Sequence, residues 1–554
     1  MIGTSPMMRF YLSLYLFVAA VYLLSASGRL GLSDGFAMFN VARSMVNERS
    51  LSAEPCDPLL PGHPTHCVLG VDGRYYAGFG LVSSLLAAPS VFCAQRVAVL
   101  LHVSGLAISK VAVAIFTALV SPLACVVLAM WIVKLGYSSR IAMLGACILA
   151  FASPFWQFGV KGFYSEPFVT LALVLTAYLL STPSSSRAAA LAGLAFGVAC
   201  GCRINAVILF PVFILYLAFC IHAHGSSMVR FLRETAYFTM TFSVCIFLIG
   251  LTNYTRFGSP FKTGYHLTYP TASLLFSTPF LHGGFELLFS GEIGLLIFAP
   301  WVLIALICFP SFARAHLPES VLCGTLFLFN FIFFSKYDSW HAGWVAGPRF
   351  LTPTLPFLVV AIAPYINGLL PRDTVEKGPR PWVGLRMVLL ILLIASALVQ
   401  CFGLLYPTER YYRLMAFYGD TRPKPWWAGS IPLASIDFIP RIVVKIAHST
   451  GHFDTVDHDQ LSVAHEQTEA WATMNKANTE EDFLQSFPNY ENLILPNLMV
   501  FKMKLLGFPA SALYGYIFCT VLVGVVGLTG LKRHIVPNRN KRSGLTVDRD
   551  SSLQ

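Results

Sequence analysis

Five short stretches of this 554-residue chain set carboxylates or arginines beside long apolar runs. Asp34 stands in LSDGFAMFNVARSM and Glu166 in KGFYSEPF. Arg203 and Asn205 stand in GCRINAV, and Glu286 and Glu292 in GGFELLFSGEIGLLIFAP. Asp338, Trp340, His341 and Arg349 share KYDSWHAGWVAGPRF. Ionised groups next to hydrocarbon cost free energy, so each needs a reason. A carboxylate so placed can take the proton of an incoming hydroxyl or amine and raise its nucleophilicity as a bond forms. The planar fork of an arginine can hold a departing phosphate and stabilise its growing charge. Glycines before Arg349 let the backbone approach a bulky group. Trp340 and Trp344 can stack on a sugar or anchor in an interfacial belt. Taken singly, each charge has a plainer reading: Asp34 as a first-turn acid of a helix over 34–48, Glu166 as a solvated helix start, Arg349 as an interfacial cation.

The elements that must position these residues are membrane spans. The chain is 56% hydrophobic and only 12% charged, about half the charge of a soluble domain. Runs of about 20 apolar residues predict twelve spans, at 10–27, 109–133, 141–159, 165–182, 188–203, 205–222, 235–252, 293–309, 319–335, 350–369, 385–405 and 508–530. The apolar stretch Phe79 to Gly105 is interrupted by Pro89, Gln95, Arg96 and His102. If it lies on the outer surface as amphipathic helices, Lys134, Arg140, Arg187, Arg230, Arg233, Arg314 and the tail LKRHIVPNRNKR all fall inside, which is the positive-inside pattern. Both termini are then cytoplasmic, and Asp34, Glu166, Arg203, Glu292 and Arg349 share the outer face. The first apolar run also resembles a signal peptide ending in SASG; the many following spans favour a retained helix.

The net charge of +11 is spread over loops, with no nucleic-acid-binding motif, so nucleic acid is not an expected partner. Cys56 and Cys67 flank the polar segment CDPLLPGHPTHC, as an outer-loop disulfide or as two free thiols. Residues 406–507 hold the one extended polar segment and are expected to form a small outer cap. Within it, Asp457, His458 and Asp459, with His452 and His465 nearby, read as a solvated face rather than a metal site.

These motifs, in this order, resemble the GT-C superfamily of polytopic glycosyltransferases, which use polyprenyl-phosphate sugars. Asp34 follows the first span on an amphipathic helix. DGRYYAGFGLVSSLLAAP, with Tyr75 and Tyr76, is similar to the family segment that leads into a second juxtamembrane helix, although its Pro-Pro pair is absent. FYSEPF, LLFSGEIGLLIFAPW and WHAGWVAGPRFLTPTLPFL resemble the later motifs. The resemblance covers roughly residues 1–405. It implies an all-α polytopic membrane fold with Asp34 as catalytic base and Glu166 as the second acidic group. It also implies Arg349 and Arg203 on the lipid-linked phosphate, with Glu292, Trp340, His341, Tyr75 and Tyr76 among the substrate-binding residues. The implied partners are a polyprenyl-phosphate-linked sugar, a glycan, lipid or protein acceptor, and membrane lipids. Some members hold a divalent metal on an Asp-x-Asp or Glu-x-Asp pair. The first outer loops here contain none, so neither metal nor cofactor is expected. The expected domains are a catalytic module at 1–405, the cap at 406–507, and a last span with a basic tail at 508–554, in a bacterial plasma membrane. The rival class, a transporter or flippase, places its charges mid-span and often shows repeats between halves. Neither is evident here.

Overall fold

Apolar segments become helices because hydrocarbon offers no partner to backbone N–H and C=O groups, which must bond within their own segment. The computed structural model describes residues 5–31, 33–53, 67–102, 104–181, 185–268, 271–343, 345–369, 383–418, 428–438 and 510–535. The order begins α1 (Pro6–Ser25), α2 (Ser33–Asn47), strands β1 (Cys67–Leu69) and β2 (Tyr75–Ala77), α3 (Val82–Leu101) and α4 (Gly105–Lys134). It continues through α5 (Ser139–Phe151), α6 (Phe155–Val160), α7 (Glu166–Leu180), α8 (Ser186–Cys202), α9 (Phe210–Ala223) and α10 (Met228–Phe257). Short helices α11 (Gly264–Thr268), α12 (Ala272–Leu275), α13 (Phe280–Phe289) and α14 (Leu295–Phe298) precede α15 (Val302–Ala315) and α16 (Leu317–Lys336). The last are α17 (Leu355–Leu369), α18 (Val383–Leu405), α19 (Thr408–Tyr418) and α20 (Ala510–Ile535). Two 3₁₀ turns, Ile204–Leu209 and Arg349–Thr354, lead into α9 and α17.

The architecture is all-α and multi-pass. Among the described residues nine helices are long and apolar enough to cross a membrane. Eight of them meet expected spans. Four further expected spans, 141–159, 165–182, 188–203 and 293–309, are met by the shorter apolar helices α5, α7, α8 and α15. α7, at 15 residues, rises only about 22 Å, well short of a hydrocarbon core of about 30 Å. The ninth is Val82–Leu100, within the stretch that charge bias assigns to the outer surface; Pro89 sits inside α3 without ending it. Length and composition do not separate this helix from a span.

Contacts between turns sort the helix ends into two groups. At one end the Ser27 amide donates to the Val160 carbonyl (2.9 Å) and the Phe163 amide to the Leu30 carbonyl (2.9 Å), joining the α1–α2 and α6–α7 linkers. At the other, the Tyr137 hydroxyl and His316 Nε2 are 2.9 Å apart, and the Tyr216 hydroxyl donates to Glu319 (3.2 Å), joining the α4–α5 and α15–α16 turns and α9. Among the residues expected at the outer face, Asp34, Glu166, Arg203 and Arg349 lie at the first end.

Close linker contact there depends on small residues. A Cβ on Gly162 would stand 2.8 Å from the Gly31 Cα and the Leu30 carbonyl oxygen, and Gly31 itself has φ +81°. Both positions therefore demand glycine. The β1–β2 hairpin, with Cys67 opposite Ala77 and Leu69 opposite Tyr75, is fastened to the end of α10. The buried Arg256 donates to the Ala77 carbonyl (3.3 Å) and to Asn253 (2.8 Å), while its own carbonyl accepts from the Val71 amide (3.0 Å). Cys67 is disulfide-bonded; Cys56 lies outside the described residues. The start of the expected cap packs as a separate apolar cluster of Tyr406, Tyr411, Leu414, Phe417, Ile431 and Phe438 against Phe298 and Ala346. His452, Asp457, His458, Asp459, His465 and Trp344 lie outside the described residues.

Candidate active site

Four expected site residues, from four separate segments, form one buried chain of charges. Arg349 Nη2 is 2.6 Å from Asp34 Oδ2, and Arg349 Nε is 2.6 Å from Glu166 Oε1. Arg203 Nη1 lies 3.0 Å from the same Glu166 oxygen. Asp34 is 6% exposed, Arg349 3% and Glu166 0%, so the set is withdrawn from solvent. Two guanidinium groups face two carboxylates, and the cluster is electroneutral as drawn. That balance is what makes burial tolerable, since an uncompensated buried charge is strongly destabilising.

Local structure explains each position. Asp34 lies in the first turn of α2, where the helix dipole favours an anion, so the plainer reading and the cluster hold together. Glu166 is the first residue of α7, with Pro167 next, a proline site at a helix start where no N–H is missed. Arg203 caps α8 with extended backbone (φ −145°, ψ 111°), which turns its side chain out of the helix register. Arg349 opens a 3₁₀ turn after Pro348, which follows Gly347 at φ +88°. The Gly347 amide donates to the Glu292 carbonyl (2.9 Å), and Arg349 Nη1 donates to the Ala342 carbonyl (3.4 Å). Ala342 carries φ +60°, a costly conformation outside glycine.

Aromatic faces back the cations. The Arg349 guanidinium sits 5.1 Å from the Tyr164 ring centroid and the Arg203 guanidinium 4.9 Å from that of Phe350. Phe350 stacks on Phe334 at 4.3 Å. Tyr265 faces all four charges. Burial pushes its phenol above the usual range, Asp34 and Glu166 add to this, and Arg203 and Arg349 oppose it. Glu166 Oε2 is buried without a hydrogen-bond partner, while both arginines use the other oxygen.

Lys161, five residues before Glu166, fixes the approach to α7. Its ammonium donates to the carbonyls of Gly403 (2.8 Å) and Tyr406 (3.2 Å) and to the Thr408 hydroxyl (2.7 Å), at the end of α18. Burial, then the neighbouring Arg29, pull it down to about 7.

The remaining expected substrate-binding residues stand outside this chain of charges. Glu292 accepts from the Tyr411 hydroxyl (3.0 Å), and its carbonyl holds the Arg349 loop, so its observed role is to position. Trp340 packs edge-on against His282 (5.5 Å) and His341 (5.7 Å). Burial lowers the His341 imidazole, against the pull of Asp338 and Glu292. Tyr75 and Tyr76 lie on β2; the Tyr76 hydroxyl donates to Asp72 (2.7 Å) and its ring meets Phe257. Sequence reasoning passed over Tyr164, Tyr265, Phe350 and Tyr411. Tyr164 stands two residues before Glu166 in FYSEPF and was within reach, whereas Tyr265 sits in a loop with no distinguishing pattern. Among the described residues no group of three or more His, Cys, Asp or Glu lies together as a metal site would need.

No protein-family model matches the chain, and no curated protein matches it. Similar solved structures include the Archaeoglobus fulgidus oligosaccharyltransferase in its apo form, at 12% identity and TM-score 0.47, over 74% of this chain and 58% of that one. The oligosaccharyltransferase AglB of the same organism, in complex with an inhibitory peptide and a dolichol-phosphate, is similar at 12% identity and TM-score 0.46, over 75% and 60%. ArnT from Cupriavidus metallidurans in the apo state is similar at 12% identity and TM-score 0.42, over 94% and 77%. The chain thus spans less than two thirds of the length of the oligosaccharyltransferase structures. At this identity and these TM-scores, none of the three lends a role to a residue of this chain.

Proposed function

We propose that this chain is an integral membrane glycosyltransferase that moves a sugar from a polyprenyl-phosphate-linked donor to a glycan, lipid or protein acceptor on the outer face of the membrane. The observation that carries the reading is the buried Asp34–Arg349–Glu166–Arg203 cluster. The reading takes a carboxylate of this cluster as the base and its arginines as the phosphate-binding cations. Asp34 takes the proton of the acceptor hydroxyl as the acceptor oxygen bonds to the sugar's anomeric carbon. The bond from that carbon to the phosphate oxygen breaks, and its electron pair leaves with the polyprenyl phosphate. Arg349, with Arg203 behind it, stabilises the charge that grows there. Glu166 Oε2, buried and unpartnered, receives a hydroxyl of the transferred sugar. Attack opposite the leaving phosphate inverts the anomeric centre. The linker regions around α2, α3 and the hairpin, with residues 406–418 and 428–438, roof the site. The membrane is a bacterial plasma membrane with both termini cytoplasmic.

The test is transfer from labelled polyprenyl-phosphate sugars by the purified protein, wild type against Asp34→Asn. Transfer by the wild type, lost in the variant, is expected. Equal transfer by both would remove Asp34 as the base. No transfer from any such donor, together with substrate-dependent flux into liposomes, would replace the enzyme with a transporter.

A further inference from the structure

A cavity of about 570 Å³ lies away from the charge cluster, where the ends of α2 and α3 meet the first turns of α4. Arg43, Asn47 and Glu48 line it from the α2 side, and Gln95, Val99 and His102 from the α3 side. Its volume is that of a small-molecule site. α4 runs for 30 residues, a rise of about 45 Å against a hydrocarbon core of about 30 Å, so its ends reach headgroup depth. The α3 face beside the cavity is apolar and exposed: Leu85, Phe92 and Val99, spaced by two helical turns, form one stripe. Val99 belongs to stripe and wall alike, so the stripe leads into the cavity. We propose that this cavity holds the headgroup of an aminophospholipid, its phosphate on Arg43 and its primary ammonium on Glu48, with the acyl chains along the stripe.

The lining chooses the occupant. One guanidinium and one carboxylate complement a zwitterion, whereas an anionic headgroup would meet Glu48 with like charge. Among the described residues no hydrogen bond or ion pair engages the side chains of Glu48, Gln95 or His102. Each therefore has an acceptor to offer an ammonium with three N–H donors. Arg43 has an interaction of its own, and its five N–H donors admit a phosphate oxygen beside it. No Phe, Tyr or Trp among the lining residues offers a face to a quaternary ammonium, which also has no N–H to donate. Backbone conformation marks the same place. Of the three described non-glycine residues with left-handed backbone, Arg49 and His102, both at φ +53°, follow α2 and α3 beside the cavity. Glycine is the usual residue at such helix ends, and here each keeps a side chain. Asp34 stands about two and a half turns before Arg43 on α2, so lipid and charge cluster hold opposite sides of one helix.

Full-length protein, stripped of lipid in detergent, is titrated with phosphatidylethanolamine, phosphatidylcholine and phosphatidylglycerol, and bound lipid is counted by native mass spectrometry. Wild type should bind the ethanolamine lipid about tenfold more tightly than the other two, about 1.4 kcal/mol, the scale of one charge-assisted hydrogen bond. Glu48→Gln, at an exposed position, should lose that preference, and Glu48→Lys should turn it toward phosphatidylglycerol. Wild type without a headgroup preference, or a Glu48→Gln variant of unchanged melting temperature that keeps one, overturns the proposal. Equally tight binding of soluble glycerophosphoethanolamine would show that the stripe takes no part, and would overturn a lipid as the occupant. None of these readouts depends on the chemistry assigned to Asp34.

Discussion

Asp34 and Arg349 are 315 residues apart in the chain and 2.6 Å apart in space. The guanidinium that joins them also reaches Glu166, so three distant segments meet on one side chain. That makes Arg349 the keystone of both the local fold and the proposed chemistry, and the two roles separate by substitution. Arg349→Ala leaves two carboxylates buried around one remaining cation and should cost about 3–5 kcal/mol, visible as a lowered melting temperature in detergent. Arg349→Lys keeps the charge but replaces a planar fork with a point charge. It should fold and yet lose about 10²–10³ in kcat. A Lys variant with wild-type kcat would show that the fork is dispensable.

Gly162→Ala tests how the base is placed. The added methyl meets backbone atoms of Leu30 and Gly31 at 2.8–2.9 Å, which cannot rotate aside. The α1–α2 linker must shift and carry Asp34 with it. The variant should lose about 1–3 kcal/mol of stability and about 10² in rate, since misplacement of a reacting group by about 1 Å costs that much. Unchanged kinetics would show that the linkers do not set the position of Asp34.

Lys161 gives a pH signature. Its ammonium is lowered to about 7 from a usual 10.5. Between those values the unfolded chain binds more protons than the folded one, so stability rises with pH over that window. Below about 7 both states are protonated and the slope vanishes. Melting temperatures from pH 6 to pH 9.5 should climb in wild type relative to Lys161→Met, which has nothing to titrate there. Parallel curves would mean that the three acceptors around Lys161 hold its proton after all.

Trp340 lies outside the charge chain, against His282 and His341 on the loop that leads to Arg349. Trp340→Ala should raise KM and leave kcat unchanged, the pattern of lost uniform binding. A matching fall in kcat would assign it a part in the transition state.

The helices were legible because a bilayer forces apolar length on the sequence: eight of the twelve expected spans meet helices long and apolar enough to cross, and the other four overlap shorter apolar helices. Their lengths were less legible. The expected span 141–159 is divided between α5 and α6, and 293–309 between α14 and α15. The residues of the cluster could be placed at one end by charge bias alone. Their pairing could not, because nothing in the spacing of Asp34, Glu166, Arg203 and Arg349 specifies which guanidinium meets which carboxylate. Tyr75 and Tyr76 show the reverse: a motif drew the eye to them, while the hairpin directs Tyr76 to Asp72 and Phe257.

The seam between α1 and α20 bears on how the protein is made. Gly524, Gly527 and Gly530 of α20 lie directly on Ala20, Phe17 and Ser13 of α1, and the Tyr516 hydroxyl donates to the Leu23 carbonyl, 493 residues away. Close approach of this kind is how helices associate where lipid gives no hydrophobic drive. A ribosome working at about 5–20 residues per second emits α20 on the order of a minute after α1. During that interval the helix that carries Asp34 into position has an open flank. Biogenesis factors or neighbouring lipids must cover it until α20 is inserted.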